Sequence, residues 1–190
     1  IQKFTADGKF VTMWGFFGHP SDAPEAFYGP RGLAVDAQGR VYVADTGNKR
    51  IAIFSPDGEY ITQFGSPGMD LGQLNEPVAV ALDSAGNVYV TDTWNQRVQV
   101  STPDSAGLVY TAVAQWPVDG WSGQSVENKP FIAVDATGNV SVTDPELCRL
   151  ITFSPCGEPI RVQDGCSAVT LLLPSGIASD GSGGLWVTNA

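Results

Sequence analysis

The feature that most restricts what this chain can fold into is its self-similarity. The stretch "GPRGLAVDAQGRVYVADTGNKRIAIFSPDGEYITQFG" begins at Gly29. It is followed by "EPVAVALDSAGNVYVTDTWNQRVQVSTPDSAG" from Glu76 and "KPFIAVDATGNVSVTDPELCRLITFSPCGEPIRV" from Lys129. A partial copy, "LPSGIASDGSGGLWVTNA", starts at Leu173, and the opening "IQKFTADGKFVTMWG" matches "IAIFSPDGEYITQFG" from Ile51. Asp36, Asp83, Asp135 and Asp180 keep phase at intervals of roughly 45 to 52 residues, as do Pro30, Pro77, Pro130 and Pro174. That period, with several short strands in each copy, is the signature of a propeller blade.

Each copy reads as four strands. Strand a is short and apolar ("LAVD", 33–36), and the turn "AQG" places Gly39 where positive φ is needed. Strand b, "RVYVAD", reads as alternating. The loop "TGNK" leads to strand c, "RIAIFS"; the turn "PDG" (56–58) leads to strand d, "YITQFG". Helix-period patterns are absent, and Pro and Gly interrupt the windows that could hold one. The chain is therefore expected to be all-β, a single β-propeller domain of four-stranded antiparallel blades. Its parts are a half blade (1–15), blades at 29–65, 76–116 and 129–164, and a half blade (173–190). Either the two halves join and close a four-bladed ring, or the chain is part of a larger propeller. Open blade edges would invite self-association.

The pattern apolar-Ala-Val-Asp, Gly, Val-Tyr-Val-Ala/Thr-Asp, Asn-x-Arg, an apolar strand and Pro-Asp-Gly resembles the NHL repeat, over nearly the whole chain. The resemblance implies a propeller that usually has six blades, and a role as an interaction platform. The repeats look similar to a bacterial type found in arrays appended to membrane glycosyltransferases and other cell-envelope proteins. An extracytoplasmic or cell-surface location is the corresponding expectation.

Asp45, Asn48 and Arg50 recur as Asp92, Asn95 and Arg97, and in part as Asp144 and Arg149. One copy per blade at the same loop points to a hairpin clamp: Asp and Asn cap backbone amides and Arg bridges a carboxylate. Asp36, Asp83, Asp135 and Asp180 precede a Gly and suit Asx turns. Residues repeated around a ring converge on a metal only if they face the channel, so no metal site and no cofactor are expected.

A ligand or partner site belongs on the long d–a connections, "GFFGHPSDAPEAFYGP" (15–30), "GSPGMDLGQLNEP" (65–77) and "WPVDGWSGQSVENKP" (116–130). The candidates are Trp14, Phe17, Tyr28, Trp94, Trp116, Asp119, Trp121 and Gln124. Rings beside carboxylates and amides suit a protein or glycan partner; the alternative is that the loops fold back and bury their aromatics. The function expected is a noncatalytic binding or scaffold module. The alternative is a propeller lyase or hydrolase with a carboxylate or metal site in the central channel. The amidating-lyase type resembled by such arrays needs several histidines, and this chain has only His19.

Charge narrows the partners. Ten Lys and Arg against 20 Asp and Glu give a net charge of -10, which repels phosphate backbones and argues against nucleic acid. No apolar run approaches the ~18 residues of a membrane span. A hairpin turning near Cys156 would set Cys148 almost opposite Cys166, so a disulfide there is one reading and three free thiols the other. A disulfide would imply an oxidising compartment.

Overall fold

The structure, a computed structural model, describes residues 1–121, 129–166, 171–180 and 183–189. Strands β1 (Gln2–Phe4) and β2 (Phe10–Met13) form a two-stranded sheet. The two-residue strands β3 (Phe16–Phe17) and β4 (Ala26–Phe27) pair in parallel within the first connection. Blade I holds β5 (Leu33–Val35), β6 (Val41–Asp45), β7 (Arg50–Phe54) and β8 (Tyr60–Phe64). Blade II holds β9 (Pro77–Leu82), β10 (Val88–Asp92), β11 (Arg97–Pro103) and β12 (Tyr110–Pro117). Blade III holds β13 (Ile132–Val134), β14 (Val140–Asp144), β15 (Arg149–Phe153) and β16 (Pro159–Asp164). A last two-stranded sheet pairs β17 (Pro174–Ser179) with β18 (Leu185–Asn189). Within each blade every neighbour is antiparallel and sequential.

Strand b departs from the alternation expected of it. All five residues of β6, of β10 and of β14 are buried. An inner strand has a blade on each side, so both of its faces are covered and polar positions lose their reason. Of the outer strands d, β12 alternates half-buried and exposed along most of its length, while β16 is exposed throughout.

The a–b turns are built by one device, copied. The Asp36 carboxylate takes the backbone N–H of Gln38 (3.0 Å) and of Arg40 (2.8 Å). Asp83 does the same for Ala85 and Asn87, and Asp135 for Thr137 and Asn139. The following glycines, Gly39, Gly86 and Gly138, hold φ of 80°, 84° and 84°. Each c–d hairpin then carries a register shift near its turn, at Ile53/Phe54, Val100/Ser101 and Thr152/Phe153. Such bulges raise the local twist that lets blades nest.

The core lies between blades. Val80 and Val88 of blade II pack in one cluster with Tyr42, Ile51 and Ile53 of blade I. Trp116 and Val98 of blade II join Ile132, Val142 and Phe153 of blade III. Each fully buried aliphatic contributes about 1.5–3 kcal/mol. Across the first interface the Tyr42 and Tyr110 hydroxyls meet at 2.8 Å.

Among the described residues the two terminal sheets do not pair with each other: β1 is hydrogen-bonded to β2, and β18 to β17. The closing of a four-bladed ring through these strands is thus not what is observed. The Ile1 amino group donates instead to the Trp14 carbonyl, 2.8 Å away.

Candidate partner-binding face

One end of the blades is built by the connections meeting the b–c loops. In blade I the loop Thr46–Asn48 is a single 3-10 turn, ended by Lys49 at φ 57°. Blade II repeats it with Thr93–Asn95 and Gln96 at φ 54°. Three residues are too few to leave a helical period, so the sequence read as loop. The incoming connection lies directly on these turns: Gly47 N–H donates to the Tyr28 carbonyl (2.8 Å) and Trp94 N–H to that of Asn75 (3.1 Å).

The recurring Asp, Asn and Arg fasten that contact. The buried Asp45 carboxylate takes the Tyr28 N–H (2.8 Å), Asn48 Nδ2 (2.7 Å) and Arg50 Nε (2.8 Å). Arg50 Nη2 then donates to the carbonyls of Pro24 (2.9 Å) and Ala26 (2.6 Å), and Nη1 to Gln63 Oε1. In blade II, Asp92 takes the Asn75 N–H, Asn95 Nδ2 and Arg97 Nε. Arg97 donates to the carbonyls of Met69, Asp70 and Gln73, and to Gln115 Oε1. The arginine therefore grips the main chain of the connection entering its own blade. A buried ion pair alone is weak support for stability; here the remaining donors are also satisfied, which is what makes burial tolerable. In blade III, Arg149 holds Asp144 and the Asp119 carbonyl (2.6 Å), while Leu147 stands where the other two loops have Asn. There Cys148, at φ 49°, is disulfide-bonded to Cys166, with Cα atoms 5.3 Å apart. Cys156 is a free, exposed thiol.

The candidate aromatics divide. Phe17 (79% exposed) stands edge-on to Tyr28 at 5.3 Å between centroids, and His19 lies 5.2 Å from the same ring. Tyr28 covers Gly47, where a Cβ would fall 2.3 Å from its ring. Trp94 (52% exposed) carries the Lys49 ammonium 4.9 Å above its ring. These residues form two exposed groups, one on each of the 3-10 turns of blades I and II. Trp116 and Trp121, in contrast, are core residues, 6% and 5% exposed, so the connection folds its rings inward rather than offering them. Trp14 is half-buried against Phe54 and over Gly58. Asp119 is exposed, and Gln124 lies outside the described residues.

Sequence reasoning passed over Met69, exposed beside a groove of about 280 Å³ lined by Asn95, Arg97, Gln115, Trp116 and Pro117. It also passed over Gln63 and Gln115, the clamp's fourth members. Their recurrence in "YITQFG" and "TAVAQWP" was the available signal.

The opposite end, made of a–b and c–d turns, has a groove of about 670 Å³ between blades I and II. Its carboxylates are engaged by their own hairpins. Burial pushes the Asp36 carboxyl up, but the bonds from the Arg40 side chain and backbone and from Tyr42 outweigh it and hold it below the usual range. Among the described residues no group of three or more His, Cys, Asp or Glu could hold a metal ion.

Comparison with known proteins agrees with this architecture. The NHL repeat family model matches residues 27–54 and 74–100. "Protein brain tumor" of Drosophila melanogaster is 28% identical over 84% of this chain and 14% of its own length. "NHL repeat-containing protein 3" of Homo sapiens is 42% identical over 27% of this chain and 15% of its own length. The chain thus spans only a small part of these relatives. Among solved structures, virginiamycin B lyase from Staphylococcus aureus superposes with a TM-score of 0.60 at 18% identity, over 85% of this chain and 49% of the lyase. At that identity the likeness is one of fold.

Proposed function

We propose that this chain, an NHL-repeat protein of propeller architecture, is a noncatalytic protein-binding module whose contact face is the end carrying the connections and 3-10 turns. The observation that carries the reading is the set of exposed aromatics Phe17, Tyr28 and Trp94 on a frame fixed by buried Asp–Arg clamps. Rigid aromatics lose little freedom on binding, so such a surface binds well for its size. The same rings suit the face of a sugar, which keeps a glycan as a second ligand class. Self-association through blade edges belongs to the same reading, since among the described residues β1 and β18 each have one strand neighbour. The Cys148–Cys166 bond supports an extracytoplasmic, cell-envelope setting, where disulfides persist. The enzyme alternative has less behind it: Asp36 and Asp83 line one groove, but each of them, like Asp135, is bound into its own turn.

A photo-crosslinking residue placed at Phe17 or Trp94, and in a control at Asp57 on the opposite end, tests the reading in the native host. Discrete adducts from the first two positions and none from Asp57 are expected. Adducts only from Asp57, or equal labelling from all three, would sink it.

A further inference from the structure

The charges on the contact face are unevenly disposed. Three of its arginines are consumed, since Arg50, Arg97 and Arg149 each point into a clamp, while Arg31, whose backbone N–H donates to Ala44, stays exposed. Lys129 is buried against Glu76 at 3.1 Å. The Asp22 and Asp70 side chains, in contrast, stand exposed at this end. Asp22 lies beside His19, whose N–H it accepts, near the Phe17–Tyr28 pair. Asp70 is next to Met69, and its clamp bond uses only the backbone carbonyl. The exposed groups at this end are therefore Asp22 near Phe17–Tyr28, Lys49 over Trp94, and Asp70 next to Met69.

Lys49 rests over the Trp94 ring. Its backbone is in the left-handed region, strained for a lysine. The equivalent position in blade II is Gln96, so the hairpin itself does not require a cation there. An ammonium on an exposed ring is held by roughly 0.5–1 kcal/mol, weak enough to be displaced.

Resting on the reading of this end as a protein-binding face, we propose that its partner is a basic peptide segment with apolar residues between its cations, and that Lys49 is a placeholder for one of them. A partner Lys or Arg takes the Trp94 face, neighbouring cations pair with Asp22 and Asp70, and the apolar side chains lie on Phe17, Tyr28 and Met69. Lys49 swings aside into solvent. This surface disfavours phosphate-bearing partners for the same reason that it favours basic ones.

The test is fluorescence anisotropy of the chain with three labelled short peptides, equal in length and apolar content, whose polar positions are all Lys, all Gln or all Glu. The Lys peptide should bind most tightly, and its affinity should fall about tenfold from roughly 50 to 300 mM salt. Trp94→Ala and the pair Asp22→Asn with Asp70→Asn should each weaken it. Lys49→Ala should tighten it by about two- to fivefold, while Lys9→Ala, which removes the same charge from a distant c–d turn, should change it little. Equal or weaker binding in Lys49→Ala overturns the placeholder. Tighter binding of the Gln or Glu peptide, abolished by Trp94→Ala, overturns the basic partner and leaves the binding face standing. Binding by none of the three overturns the basic partner as well. Circular dichroism of each variant separates lost contacts from lost fold.

Discussion

Arg97 is nearly fully buried, pairs with Asp92 at 2.7 Å and reaches three carbonyls of the connection before blade II. Arg97→Ala leaves Asp92 buried without its cation, and should cost about 3–5 kcal/mol in urea unfolding. Arg97→Lys keeps the charge but not the fork, and should recover only part of it. Ionisation gives a second residue-scale expectation. Asp36 is held below the ordinary carboxylate range, so the folded state binds its proton less readily than the unfolded chain. Its stabilisation is complete above the unfolded value of about 4 and is lost as pH falls through the folded one. Tyr89 behaves oppositely: burial, then Asp83, push its phenol up to about 12. Its contribution is complete below about pH 10 and is lost as pH rises towards 12. Thermal midpoints across pH should show a flatter acid limb in Asp36→Asn and a flatter alkaline limb in Tyr89→Phe. A limb unchanged in either variant would remove that residue from the account.

At the scale of elements, the strands were legible because their markers repeat: Asp before a Gly turn, Pro before strand a, Pro-Asp-Gly between c and d. What lay beyond reading was which side of a connection its rings face. Trp94 and Trp121 are both loop tryptophans in sequence, yet one stands exposed in the middle of a 3-10 turn and the other is buried in the core with Val118. That choice is made by contacts between blades, which no local pattern encodes. The clamp residues were legible as a unit, but their grip on the connection's carbonyls was not, since main-chain acceptors carry no sequence signature. Blade III shows the element varied: Leu147 replaces the loop Asn, and a disulfide ties the turn to the segment after β16. The sequence separation it closes is 18 residues. Opening a loop of that size should cost about 2–4 kcal/mol. Hydrogen exchange with and without reductant should then show faster exchange in β15 and β16 on reduction, with β7 and β11 little changed. Uniform acceleration throughout would mean that blade III does not respond as a local unit.

For the molecule as a whole, stability resides in the seams between blades, as in other arrays whose units touch only their neighbours. Val80 belongs to blade II but is buried among residues of blade I. Val80→Ala should therefore weaken both blades together, by about 2 kcal/mol, and broaden the unfolding transition as the seam opens before the rest. A transition that shifts without broadening would show that the array still unfolds in one step. The seams were foreseeable only in kind. Period and composition required that copies stack, but the partner of each side chain came from the twist of the blades. The clamps bear on what such an array can become over time. Because each guanidinium takes peptide oxygens, it is indifferent to which amino acids the gripped segment contains. Substitutions there leave the anchoring bonds in place, so inheritance can explore new specificities on these segments without first repairing the frame that displays them.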